Sequence, residues 1–321
     1  MKVSSEILEA IKNINNAAII THIRPDADAL GSACAMKLVL EKMGKTADIY
    51  CDSEIPSNYS FIKYTNKINN PFNIDYDTVI AVDCADLARL GKYQELYLRV
   101  PNSINIDHHA TNDGFGKVNL IENVSSTGEV LFSVFNALKV RLDRNIATAL
   151  YSAIASDTGC FQHSNTTSQV HRIVARLMKY NIDLNKANYY LFKRRSMGQI
   201  ALQRIALKNL KFFEDNKIAL IYLKESDFKE CDIDSNHSSF GLVDICINIE
   251  KVEIGILISE IKHNLYACSI RGKGNVDVSE IAKKFGGGGH SNAAGCNVFG
   301  TTQSAINKLV RACKHFIWLD F

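Results

Sequence analysis

Residues 17–32 read AAIITHIRPDADALGS. Ala17–Thr21 is a short apolar run without polar alternation, the pattern of a strand buried on both faces. A loop rich in ionisable groups follows. Ala29–Met43 then carries apolar residues at helical spacing, with Gly44 placed to end the helix. The same change of period recurs along the first half of the chain. Strands are expected at Ala47–Cys51, Thr78–Val82, Ser103–Ile106 and Val118–Ile121, and helices at Thr127–Val140 and Ile146–Ala155. Buried strands alternating with helices predict an α/β fold, a mostly parallel sheet covered by helices. In such folds the functional loops lie at the carboxyl ends of the strands.

Beyond it, residues 167–210 read as mostly helical and include the basic cluster Lys193–Arg195. A smaller α/β segment comes next. Its expected strands are Ile218–Leu223, Val252–Ser259 and Leu265–Ile270; its expected helices are Phe240–Ile249, Ser279–Phe285 and one near Ala305–Phe316. The boundary is placed near residue 190, giving a first domain over 1–189 and a helical linker with a second domain over 190–321. With 46% hydrophobic and 22% charged residues, the 321-residue chain has the composition of a globular protein and not of a disordered one. A net charge of +3 excludes a protein that coats DNA by bulk electrostatics, but not a local basic groove. No run of about 18 apolar residues predicts a membrane span, and MKVSSEILEAIKNINN lacks the apolar core of a signal peptide. Nine cysteines without a CxxC pair suit reduced thiols, so a cytoplasmic setting is expected.

Four clusters carry chemistry. The loop after the first strand supplies His22, Asp26 and Asp28; the alternative is an Asp-rich turn capping the next helix. An EF-hand is excluded, because the acid due at its last position would be Lys37. Asp83 follows the apolar run Thr78–Val82, and Asp107, His108 and His109 follow Ile104–Ile106. Asp157 closes the helical run Ile146–Ala155. Each cluster alone is matched by a plain cap or a solvated turn. Together, His22, Asp26, Asp28, Asp83, His108 and Asp157, with His109 beside them, suit two divalent ions about 3.5–4 Å apart, bridged by a shared carboxylate. The set is carboxylate-rich and thiol-free, which argues against a structural zinc site and favours Mn²⁺ or a similar ion. Near the C-terminus, Gly286, Gly287, Gly288 and Gly289 precede His290. Such a run lets backbone N–H groups approach an anion, but no GK[ST] follows, so it is not a Walker A loop. Arg271, at the end of a strand, offers a planar fork for a phosphate or carboxylate.

The blocks HIRPDADALGS, AVDCADLARLG, IDHHATN and SDTGCFQHSNTT resemble the four signature motifs of DHH-family phosphoesterases, and RGKGNVDVSEIAKKFGGGGHSNAAG resembles the DHHA1 substrate-binding domain. The match runs in order over nearly the whole chain, and the chain's size without extra domains makes it most similar to the bacterial nanoRNase/pAp-phosphatase branch. The resemblance implies that His22 and Asp26 bind one Mn²⁺, that Asp28, His108 and Asp157 bind the other, and that Asp83 bridges them. It further implies that His109 faces the scissile phosphate, while Arg271, Gly286–Gly289 and His290 hold the substrate from the second domain. The implied substrates are short RNA or DNA oligonucleotides and nucleotide bisphosphates, in a protein without a membrane partner and compatible with a homodimer. Cys160 stands where the family pattern leads us to expect a more basic or polar residue, which bears on substrate preference. A cyclic-dinucleotide phosphodiesterase and a RecJ-like exonuclease are the rival activities. A non-catalytic nucleotide-binding protein is the rival class, and the full ligand set disfavours it.

Overall fold

The computed structural model describes residues 3–71, 75–233 and 241–317. The chain forms two compact units, Met1–Arg194 and Arg195–Phe321. The first contains α1 (Ser5–Lys12), β1 (Asn16–Ile20), α2 (Ala27–Lys42), β2 (Thr46–Tyr50), β3 (Thr78–Val82), α3 (Gln94–Arg99), β4 (Asn102–Asp107), β5 (Val118–Ile121), α4 (Thr127–Ala137), α5 (Arg144–Asp157), α6 (Ser168–Met178) and α7 (Leu184–Asn188). Its sheet has the order β2-β1-β3-β4-β5, and every pairing is parallel. Strand neighbours alternate their side chains between two apolar layers. Ile19, Ile80, Ile104 and Ile106 join the layer under α2, α4 and α5, whereas Ala18, Ile20, Val79 and Ala81 face Leu90, Tyr97 and Val100. From β1 the chain turns to β2 on one side, and β3 takes the other side. The carboxyl ends of β1 and β3 therefore flank a topological switch point, where a crevice opens in open α/β sheets.

Small residues set the spacing of the covering helices. A Cβ on Gly31 of α2 would lie 2.5 Å from the Ala149 carbonyl oxygen of α5, and one on Gly128 of α4 would lie 2.5 Å from Ala153 Cβ. The three helices thus meet nearly backbone to backbone. That closeness brings Asp28 near the start of α2, the N-terminus of α4 and Asp157 at the end of α5 to one place.

The second unit contains α8 (Met197–Lys208), β6 (Leu210–Phe213), β7 (Ile218–Leu223), α9 (Glu225–Glu230), α10 (Leu242–Ile247), β8 (Ile254–Lys262), β9 (Leu265–Gly272), α11 (Val278–Lys283), β10 (Gly288–His290), β11 (Ala293–Phe299) and α12 (Thr302–Ile317). Its mixed sheet has the order β10-β11-β9-β8-β7-β6, with only β7 and β8 parallel among these pairs. The architecture is the expected one: a parallel sheet under helices, a helical stretch, and a smaller α/β unit.

The differences are local. α4 stops at Ala137, because Leu138 caps it and Lys139 turns to φ 57°. The helix expected at Phe240–Ile249 is α10; Phe240 lies outside the described residues. Strands β6, β10 and β11 and helices α1, α3 and α9 have no counterpart among the expected elements. In β11 the alternation is present, with Ala294, Cys296 and Val298 buried against Gly295, Asn297 and Phe299, but small residues carry it and conceal it. All nine cysteines are free thiols. Among the described residues, no helix is long and apolar enough to cross a membrane.

Candidate metal centre

β1 delivers His22, which is almost wholly buried. Its Nδ1 lies 2.8 Å from the Ile23 carbonyl oxygen, which turns Nε2 towards Asp83 Oδ2 at 3.6 Å. Asp26 is the N-cap of α2, its Oδ1 accepting from the amides of Asp28 and Ala29. The capping alternative is therefore true of Asp26, yet the same carboxylate also groups with His22 and Asp83. Asp28 has no exposure. It accepts from the amides of Thr127 at 2.7 Å and Gly128 at 2.9 Å and from the Ser32 hydroxyl, so the positive end of α4 points at it.

Asp83 is the residue after β3, and it is no cap, since Asp86 caps the next turn. Its φ of 55° is a left-handed conformation that a non-glycine residue adopts at a cost, here held by its amide donating to the Ile106 carbonyl. The Thr127 hydroxyl donates to Asp83 Oδ1 at 3.0 Å. From β4 come Asp107, His108 and His109. His108 Nδ1 sits 3.2 Å from the Val124 carbonyl oxygen, and its Nε2 faces Asp157 at 3.1 Å, Asp83 at 3.6 Å and Asp28 at 3.9 Å. His109 Nδ1 meets Asp107 Oδ1 at 2.8 Å. The other oxygen of Asp107 accepts from Asn112 Nδ2 at 2.7 Å, and Asn112 is itself held by Asn105 and Gly114. Asp157 ends α5, and Gly159, Cys160 and Phe161 then turn the chain sharply, all with positive φ.

The six expected ligands fall into two triads, His22–Asp26–Asp83 and Asp28–His108–Asp157, each with one donor atom per residue within 4.8 Å of the others. A third grouping, Asp83–His108–His109, joins them. The electrostatics show what the protein alone leaves unbalanced. Burial and the neighbouring Asp83 and Asp157 carboxylates push Asp28 well above the usual range, and burial and Asp83 raise Asp26. Burial also lifts Asp157 to about 6, though His108 partly opposes it. For Asp83 the upward push of burial is outweighed by His22, His108 and His109, which hold it at about 2. Burial pushes His108 down, but the Asp157, Asp28 and Asp83 carboxylates win and raise it to about 10.

These carboxylates crowd one another, and the buried His108 Nε2 has no well-aligned hydrogen-bond partner. Carboxylate oxygens and imidazole nitrogens without a thiol fit hard or borderline divalent cations. The centre is a candidate divalent metal site on those grounds. Asn112 and Thr127 are supports that reading residue types did not single out, and Asp107, which stood in its cluster, turns out to hold His109. An N-cap signature, SSTGE, marks the start of α4, but nothing in it shows which carboxylates that helix end will meet.

In the second unit, His290 on β10 stands opposite Ala293 on β11, which stands opposite Arg271 on β9. His290 and Arg271 therefore share one face of the sheet, two strands apart. The Nε of Arg271 is 3.6 Å from Asp244 Oδ1 of α10. Lys284 caps α11, Gly286 turns at φ 72° two residues on, and Gly288 and Gly289 lie in the edge strand β10, so the run is an ordered corner and strand. An edge strand leaves alternate N–H groups off the sheet.

Residues 16–154 match the model of the DHH family, N-terminal domain, and residues 229–319 match that of the DHHA1 domain. The chain belongs to the DHH/DHHA1 phosphoesterase family, and its His/Asp triads make it a metal-dependent phosphohydrolase of that family. Among its relatives, the bifunctional oligoribonuclease and PAP phosphatase NrnA of Thermus thermophilus is 30% identical over 312 residues, 94% of this chain and 89% of that protein. The Bacillus subtilis protein of the same name is 23% identical, over 92% of this chain and 93% of that one. The crystal structure of an exopolyphosphatase-related protein from Bacteroides fragilis shares the fold with a TM-score of 0.90 at 22% identity, covering 98% of each chain.

Proposed function

We propose that the protein hydrolyses very short oligonucleotides to mononucleotides and removes a phosphate from nucleotide 3′,5′-bisphosphates, using two Mn²⁺ ions. The observation that carries the reading is the pair of triads meeting around Asp83 at the switch point of the sheet. The substrate class is supported by the relatives that match nearly end to end, which are named as oligoribonuclease and PAP phosphatase. His22, Asp26, Asp28, His108 and Asp157 hold the ions, with Asp83 between the two sets. Divalent ions held there supply Lewis acidity and a nucleophilic water at neutral pH.

The chain's own residues do the rest. Asp107 holds Nδ1 of His109, which leaves Nε2 for a phosphoryl oxygen. The N-terminus of α4 and the Thr127 hydroxyl keep Asp28 and Asp83 in place, so little reorganisation is needed as charge develops on phosphorus. Arg271, His290 and the N–H groups of Gly286–Gly289 recognise the substrate's terminal phosphate.

The test is a side-by-side turnover assay with Mn²⁺ of pAp, pApA, a 5-mer, a 24-mer RNA and a cyclic dinucleotide. Turnover of pApA and pAp well above that of the 24-mer is expected, and EDTA should remove it. Equal turnover of the 24-mer would move the reading to a long-strand exonuclease, and preference for the cyclic substrate to a cyclic-dinucleotide phosphodiesterase. Arg271→Ala and His290→Ala should raise KM for pApA while leaving hydrolysis of bis-p-nitrophenyl phosphate, which has no terminal phosphate, nearly unchanged. Equal losses on both esters would show that these residues do not act in recognition.

A further inference from the structure

Arg89 lies in the short 3-10 segment Leu87–Tyr93 that follows Asp83, and its main chain is pinned. Its carbonyl accepts from the Ile23 amide at 2.8 Å, and its amide donates to Asp86 Oδ1. Two residues on, Gly91 turns at φ 59° with no room for a Cβ, which would sit 2.4 Å from Asp52 Oδ2 and 2.9 Å from Ile23 Cγ2. The Lys92 amide also donates to Asp52. A fixed backbone thus carries Arg89 to the edge of the His22 ring.

The guanidinium is less well served. Its Nη2 lies 3.1 Å from His22 Nδ1. That nitrogen also lies 2.8 Å from the Ile23 carbonyl oxygen, which can only accept, so Nδ1 carries a proton and donates there. Arg89 is donor-only, and it therefore faces another donor. Among the described residues, no carboxylate lies within ion-pairing distance of it. A half-buried arginine with no carboxylate in ion-pairing reach among the described residues, one imidazole away from a group of buried carboxylates, has its fork available for an incoming anion.

Charge completes the argument. Asp26, Asp28, Asp83 and Asp157 together carry the charge that two divalent ions cancel. An incoming phosphodiester then adds negative charge that the ligand set does not offset, and more gathers on its oxygens as the bond breaks. A guanidinium on a fixed turn at the rim is suited to that oxygen pair.

We infer that Arg89 is a catalytic residue that binds the non-bridging oxygens of the scissile phosphate. The inference rests on the proposed hydrolysis, and it gives Arg89 a part distinct from that of Arg271: contact with the reacting phosphate, whatever lies at the far end of the substrate.

The test uses the full chain and compares wild type with Arg89→Ala and Arg89→Lys. Three quantities are read: calorimetric Mn²⁺ affinity, affinity of the Mn²⁺-loaded protein for inorganic phosphate, and kcat/KM on both pApA and bis-p-nitrophenyl phosphate. Arg89→Ala should leave Mn²⁺ affinity unchanged and weaken phosphate binding by about ten- to a hundredfold, the scale of a lost charge-assisted hydrogen bond. Turnover of both esters should fall together, by about a hundredfold or more. Arg89→Lys keeps the charge and the stem but loses the fork, and it should fall between the two. Unchanged phosphate affinity in the alanine variant, or a parallel loss of Mn²⁺ that shows Arg89 merely steadying His22, overturns the inference. If the wild type hydrolyses neither ester, the proposed function fails while the phosphate measurement still decides Arg89.

Discussion

At the scale of single residues, the centre depends on where each imidazole nitrogen and each carboxylate oxygen points. His108 and His109 are adjacent, yet they are held differently. His108 donates from Nδ1 to a main-chain carbonyl and turns Nε2 to three carboxylates, while His109 is tied to Asp107. Their parts should separate by mutation. His109→Ala is expected to keep its metal content by elemental analysis and to lose about 10²–10³ in kcat, the scale of removing one preorganised donor to a developing oxyanion. Asp83→Ala is expected to lose turnover outright together with bound metal, since Asp83 belongs to two of the three groupings. Retention of a tenth of the wild-type rate by Asp83→Ala would count against its place between the ions. These residue types were legible because ionisable side chains directly after buried strands have no packing role. Their supports were not: the bond from Thr127 to Asp83 spans 44 positions, and those from α4 to Asp28 span 99 and 100.

At the scale of elements, the ligands are carried by helix ends that only close packing can unite. Gly31 lies one turn beyond Asp28 on α2, and its missing Cβ is what lets Ala149 of α5 approach. Gly31→Ala places a methyl 2.5 Å from a backbone oxygen, so the two helices must separate. Such overpacking typically costs about 1–3 kcal/mol. Urea unfolding should show that loss. Mn²⁺ affinity should fall with it, because Asp28 and Asp157 ride on the two helices that part. A variant that is destabilised yet binds Mn²⁺ as tightly as wild type would uncouple the packing from the site. The helices themselves were readable from periodicity. The tightness of their contact appears in the sequence only as small residues, which are as common in loose helices.

At the scale of the whole molecule, the centre makes stability depend on pH and on metal in a linked way. Asp157 is raised from 3.8 to about 6, so without metal its stabilising protonation is complete below 3.8 and lost as pH rises through 6. His108 is raised from 6.5 to about 10, so its contribution is complete below 6.5 and lost as pH rises through 10. Asp83, held at about 2, acts in the opposite sense, but only below 3.8. Metal-free protein should therefore have a Tm that declines from about pH 5 to about pH 9. A divalent ion held by these groups would take the place of those protons, so the gain in Tm on adding Mn²⁺ should grow with pH across the same range, and EDTA should reverse it. Scanning fluorimetry with and without Mn²⁺ reads this directly. A metal-induced gain that is flat with pH would mean that the ions bind away from these groups.

What the sequence by itself determined is the order of elements and the chemistry at their ends. Runs such as AAIIT and TVIAV bury in only one way, and a polar loop after each can only sit at the sheet's carboxyl edge. The terms that decide those features are local: side-chain period, caps, and the cost of burying charge without a partner. Small-residue strands escaped the same reading, because β11 is held by its partners on both sides and not by its own propensity. Only the tertiary structure decided that Asp28, Asp83 and Asp157 share one space, that the end of α4 faces them, and that Arg89 arrives beside His22 without an anion of its own. Those are distances between residues far apart in the chain, and they follow from strand order and helix contact, which no local window contains.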